Sequence, residues 1–196
     1  MRILVFGLVV FLFTHGLAIF PRTRAFFIEH LGEAYHKRFM AVGALIGLIA
    51  IVYGYSVYRD SGYIPVWNPP VWTRHLAATL MLFSIILMVS AFIPSMIKAK
   101  AKHPMLASVK IWAFSHLLSN GDLGSIILFG SFLVWAVVAR ISMKYRAPML
   151  SLASLPHMPV RFGRNDVIVI VLGSALYLAI VFRLHLWLIG VPVFMR

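Results

Sequence analysis

HPMLASVKIWAFSHLLSNGDLGS, residues 103–125, decides how this chain is read. Most of it is built for lipid, yet Lys110, His116 and Asp122 lie in or beside the apolar run. Asn120-Gly121-Asp122 reads as a tight turn. Asn or Gly ends the helix before it, and Asp122 can cap the one after it, where a carboxylate meets orphan N–H groups and the positive helix end. The stretch is therefore the end of one membrane span and the start of the next. An ionisable group at mid-bilayer costs about 2.5 to 3.5 kcal/mol, so such residues face a bundle interior and mark a ligand, a proton path or a partner. The alternative for His116 is a helix-end histidine hydrogen-bonded to a neighbour.

Outward from that stretch the composition agrees. Of the 196 residues, 62% are hydrophobic and 12% charged, and the mean hydropathy is +0.94, which leaves too few polar side chains to cover a water-facing surface. A polytopic, all-α integral membrane protein is expected, as a single domain over residues 1–196 with no linker, internal repeat or low-complexity tract. MRILVFGLVVFLFTHGLAIF at the start resembles a signal peptide, but it lacks a small-x-small cleavage site and ends in Ile19-Phe20-Pro21, so it reads as a retained span. Cysteine is absent, so any metal or haem ligand comes from histidine, methionine or oxygen.

Apolar runs near the ~20 residues that cross ~30 Å of hydrocarbon give six spans, at about 2 to 20, 38 to 58, 73 to 95, 105 to 119, 122 to 143 and 166 to 190. Pro21 closes the first, Gly62 with Pro65, Pro69 and Pro70 breaks the chain after the second, and Pro94 ends the third. Basic residues gather in the odd-numbered loops: Arg22, Arg24, Lys37 and Arg38, then Lys98, Lys100 and Lys102, then Arg140, Lys144, Arg146, Arg161 and Arg164. Arg2, Arg59, Arg74 and Arg196 lie opposite. Cytoplasmic loops hold such an excess, so both termini are expected to be periplasmic in a bacterial inner (cytoplasmic) membrane. The net charge of +13 is then accounted for by topology and anionic lipid headgroups, and nucleic acid is not expected as a partner. Gly43 and Gly47 form a small-xxx-small pair, read as a close helix crossing.

The sequence resembles the NnrU family along its whole length. The matching pieces are His15-Gly16-Leu17-Ala18, Leu31-Gly32-Glu33, Pro65-Val66-Trp67 with Pro69-Pro70, Arg74-His75-Leu76, His103-Pro104-Met105-Leu106, Lys110-x-Trp112-Ala113, His116-Leu117-Leu118-x-Asn120-Gly121-Asp122, Gly163-Arg164-Asn165-Asp166 and Leu184-His185-x-Trp187-Leu188. That family is associated with bacterial nitric oxide and nitrite reduction. It is similar to 15-cis-zeta-carotene isomerase, a membrane enzyme holding haem b through the histidine of a His-Ser-Gly-Leu-Ala segment and the histidine of an Ala-His segment. Carried over, the resemblance implies His15 and His116 as haem ligands. The chain departs at Gly16, which follows His15 directly, and at Ser115 in place of alanine; neither change touches a ligand. The His-Pro piece also resembles membrane methyltransferases, but Lys102 replaces their arginine and methyl transfer is set aside.

Depth is compatible with that ligand pair. At 1.5 Å per residue His15 is about 8 Å from the cytoplasmic end of its helix and His116 about 16 Å, an offset of about 8 Å. Two imidazoles on one iron tolerate it if the helices are neighbours. Lys110 either snorkels to the cytoplasmic surface or meets a haem propionate. His75 and His185 read as interfacial residues beside Arg74 and Arg183, His103 as ordering a helix start, and His30, His36 and His157 as loop residues. Three functions are expected as alternatives: a haem protein of nitric oxide and nitrite reduction, working with denitrification proteins or sensing nitric oxide; a haem-dependent cis-trans isomerase of a polyene or lipid; and a cofactor-free assembly partner of a membrane reductase.

Overall fold

The computed structural model describes residues 1–17, 19–62, 64–146 and 161–193; Ala18 of the first motif, His157 and Arg196 lie outside them. Regular structure in the described residues is helical: α1 (Arg2–Leu17), α2 (Pro21–Leu31), α3 (Glu33–Asp60), α4 (Val71–Ser90), α5 (Met96–Ala101), α6 (Pro104–Ser119), α7 (Leu123–Arg146), α8 (Arg164–Ala179) and, after a π-helical turn at Ile180–Leu184, α9 (His185–Ile189). The all-α membrane class read from the sequence is thus the fold observed. Among the described residues, four helices are each long and apolar enough to cross a membrane: Glu33–Asp60, Val71–Ser90, Leu123–Lys144 and Arg164–Ile189. α1 and α6 have 16 residues each, a rise of about 24 Å. Side chains such as Leu45, Ile49 and Val52 on α3 are about three-fifths exposed, as lipid-facing residues are.

Two helices depart from the sequence reading. Pro21, expected only to close the first span, is the first residue of α2, where its missing N–H costs nothing and its fixed φ suits a helix start. α5 lies where a loop is expected, with Ser95 as its cap accepting from the Lys98 N–H at 3.2 Å. α4 ends at Ser90, short of Pro94, because Pro94 has no N–H for the Ser90 carbonyl and its ring clashes with that carbonyl. Lys98 then donates to the Ala91 carbonyl at 2.8 Å, so a basic residue of this loop also satisfies the end of α4.

The chain forms two compact units. The first comprises residues 1–68 and 120–146, with α1, α2, α3 and α7. α1 runs antiparallel along α3 over a seam of small residues. A Cβ on Gly47 would lie 2.7 Å from the Phe11 nitrogen, one on Gly7 2.6 Å from the Ile51 nitrogen, and one on Gly43 2.5 Å from the Thr14 methyl, while Gly54 abuts Leu4. The absence of side chains lets the backbones touch. Leu4, Leu8 and Leu17 are buried beside this seam. α7 joins through Tyr58, whose ring covers Gly124, and through the Tyr55 hydroxyl, 2.7 Å from Ser125 Oγ.

The turn at Asn120-Gly121-Asp122 is pinned to the Pro65-Val66-Trp67 loop of the same unit. The Gly121 carbonyl accepts from Val66 and Trp67 at 2.8 and 3.0 Å, and Leu123 donates to Ile64 at 2.9 Å. Asp122 accepts from the Ser125 N–H at 2.9 Å and from its hydroxyl at 2.5 Å, which is the helix cap its sequence position suggests. Tyr58 Oη accepts from the Ile64 N–H at 2.9 Å.

The second unit comprises residues 69–119 and 147–196; its described helices are α4, α5, α6, α8 and α9. α4 meets α6 at Ser84, which donates to the Ser108 carbonyl at 2.9 Å, and meets α8 where Gly173 abuts Ile86. Asp166 is 1% exposed; it accepts from Ile97 at 2.9 Å and from Gly163 at 3.0 Å, tying the start of α8 to α5. Lys102 has φ +58° and His103 donates back to Ala101 at 2.6 Å, a strained γ-turn that delivers His103 and Pro104 to the start of α6.

Candidate functional site

In the first unit, α1 carries His15 near its C-terminal end, half-buried. Its Nδ1 donates to the Phe11 carbonyl at 2.8 Å. A carbonyl can only accept, so Nδ1 carries a proton, and in the neutral ring Nε2 is the lone-pair nitrogen, as in a metal-ligating histidine oriented by a backbone carbonyl. The ring stacks on Phe11 with centroids 4.1 Å apart and meets Trp135 of α7 edge-on at 5.9 Å.

Trp135 also lines an open apolar groove of about 600 Å³ between α1 and α7, with Leu12, Gly16, Ile19, Phe20 and Gly130 among its walls. A Cβ on Gly16 or Gly130 would meet nothing within 4 Å, so these two glycines widen the groove. Trp135 Nε1 is buried and finds no acceptor among the described residues. An unpaired buried N–H is expensive, and here it sits in the wall of a groove of ligand size.

In the second unit, α6 carries Lys110 and His116, both half-buried. Trp112 meets the His116 ring edge-on at 5.5 Å. The structure brings a further histidine to it: the His185 ring, from α9, lies 6.4 Å from the His116 ring with the planes 14° apart. His185 Nδ1 donates to the Val191 carbonyl at 2.6 Å, which again leaves Nε2 as the lone-pair nitrogen.

Three local features place His185. The π-helical turn at Ile180–Leu184 adds a residue to the last span and rotates the helix beyond it. Gly190, at φ +77°, then ends α9 with a backbone conformation that side chains resist. That reversal returns Val191 toward the imidazole. Sequence position makes His185 an interfacial residue, because it is near the end of the last span beside Arg183. The signal for a different role is its motif, Leu184-His185-x-Trp187-Leu188.

A model of the NnrU protein family matches residues 3–193. The chain belongs to the NnrU family. No curated protein and no solved structure matches it. Of the sequence-predicted site residues in this NnrU-family chain, Lys110 and His116 fall on one helix of the second unit, and His15 belongs to the first. His30 is exposed, its Nδ1 held by the Phe26 carbonyl at 2.8 Å. His36, expected at a loop, is buried on α3 with Nδ1 unpartnered and its ring over Phe27 at 6.3 Å.

Among the described residues no three His, Asp or Glu side chains gather as a bare metal ion requires. The donor set present in this NnrU-family chain is the single imidazole or the imidazole pair. That set fits a metal bringing its own equatorial ligands, as haem does.

Proposed function

We propose that this NnrU-family chain is a haem b protein of the bacterial cytoplasmic membrane acting in nitric oxide and nitrite reduction, alongside the proteins of denitrification. The observation that carries the reading is the state of its half-buried imidazoles: His15 and His185 each commit Nδ1 to a backbone carbonyl, at 2.8 and 2.6 Å, and keep Nε2 for a metal. His116 supplies one ligand, and in the pattern of the isomerase its mate is His15. Held by two neutral imidazoles, haem would supply electron transfer and nitric oxide binding at this place.

The chain's own residues have defined tasks in this reading. The Phe11 carbonyl fixes the tautomer and the plane of His15. The His15 ring is packed between Phe11 and Trp135, which excludes water from that side. Lys110 offers a charge to a propionate carboxylate. α1 and α6 act as two further spans beside the four long helices, making six, and the basic odd-numbered loops place both termini in the periplasm.

A second reading, a haem-dependent isomerase of a polyene or other lipid, is favoured by the apolar groove of about 600 Å³. Its glycines at 16 and 130 make room for an elongated apolar chain.

The test is the visible spectrum of detergent-purified wild type, expressed with ample haem, oxidised and dithionite-reduced, with and without nitric oxide. A Soret band with resolved α and β bands on reduction, shifting with nitric oxide, is the expected result. A colourless protein overturns the haem reading. Conversion of a cis-polyene by the reduced protein, with no response to nitric oxide, favours the isomerase.

A further inference from the structure

We propose that the imidazole facing His116 across the iron is His185, so that the second unit contains both axial ligands. The inference rests on the haem reading and revises its second ligand. Two imidazoles on opposite sides of one metal have ring centres about 6.2 Å apart, from metal–nitrogen bonds of about 2 Å and about 1.1 Å from each nitrogen to its ring centre. His116 and His185 are 6.4 Å apart with planes 14° from parallel. The centroid spacing and the near-parallel planes of the histidine pair both agree with that arrangement.

Independent features of the chain prepare His185 for this role. Its Nδ1 is taken by the Val191 carbonyl at 2.6 Å, which leaves Nε2 as the nitrogen that can meet a metal. The π-helical turn at Ile180–Leu184 immediately precedes it, a distortion that occurs often at functional sites because it re-aims one side chain without ending the helix. On the opposite side Trp112 holds the His116 ring edge-on at 5.5 Å. The reversal at Gly190 has a clear consequence in this arrangement, since it brings the Val191 carbonyl to the imidazole.

The experiment compares haem-loaded full-length wild type with His116→Ala, His185→Ala and His15→Ala by visible and electron paramagnetic resonance spectra, each normalised to monodisperse protein. Loss of the low-spin six-coordinate signal in His116→Ala and His185→Ala, with its retention in His15→Ala, is the expected pattern. His185→Gly with added imidazole should regain the low-spin signal, and His185→Met should shift it, which separates lost ligation from lost folding. A wild-type spectrum in both His185→Ala and His185→Met overturns the inference and leaves the haem reading standing. So does loss of the signal in His15→Ala with no change in His185→Ala. A wild type without a Soret band overturns both.

Discussion

Along α1 and α3 the backbones touch through Gly7, Gly47 and Gly54, whereas α4 and α6 are joined by a hydroxyl, Ser84 on the Ser108 carbonyl, with both serines buried. Both are small-residue contacts in an apolar setting, but their physics differs. The glycine seam gains dispersion over a long, close approach and has nothing polar to satisfy. The serine contact must keep its hydrogen bond, since an unpaired hydroxyl in hydrocarbon is costly. A similar contrast separates Asp122 from Asp166. Asp122 in the first unit closes a local cap on Ser125, while Asp166 in the second reaches another segment at Ile97. Of the five acidic residues in the chain, these two accept from backbone N–H groups at helix starts that otherwise lack partners.

The contrast can be tested at three points, in decreasing order of consequence. Gly47→Leu forces side-chain atoms into the backbone of α1 at Phe11 and should destabilise the protein by about 3 kcal/mol, read as a lowered midpoint of thermal unfolding in detergent. A wild-type midpoint would mean the seam is not in contact. Asp166→Ala leaves the Ile97 and Gly163 N–H groups without their acceptor and should cost about 2 kcal/mol. Proteolysis between α5 and α6 should rise with it, and unchanged cleavage would show that Asp166 does not secure that segment. Ser84→Ala removes one hydroxyl and should cost about 1 kcal/mol. If it matched or exceeded Gly47→Leu, the ordering of the two contacts would be reversed and the contrast drawn between them abandoned.

The two imidazole environments differ in the same spirit. His15 is enclosed by aromatic rings, Phe11 and Trp135, and borders a groove wall with an unpartnered indole N–H. His116 is paired with a second imidazole.

Much of the helical pattern is legible in the sequence because hydrocarbon leaves few choices: apolar runs of sufficient length become helices, and the boundaries at Asn120-Gly121-Asp122 and after Asp60 come from turn chemistry. α2 is not legible, since Pro21 reads equally as an end or a beginning when the next turn is unknown. α5 is not legible because it is too short to carry a periodic signal. Of the candidate site, Lys110 and His116 are visible as polar groups out of place in an apolar run, and His15 through the resemblance that its motif carries. His185 is read from the sequence as an interfacial residue near the end of the last span beside Arg183, a criterion that says nothing about which ring it meets.

Hydropathy and backbone hydrogen bonding act locally along the chain, so the amino-acid order alone settles the solvent this protein lives in and the helices that solvent demands. It also carries the motifs that place the chain in its family. Which groups meet is a matter of tertiary structure: that the Pro65-Val66-Trp67 loop pairs with the turn before α7, that four glycines of α1 and α3 line one seam, and that a π-helical turn and Gly190 bring the His185 ring opposite His116. Those meetings depend on helix rotation, where one inserted residue turns a side chain by about 100°, a quantity that no local count of apolar residues fixes.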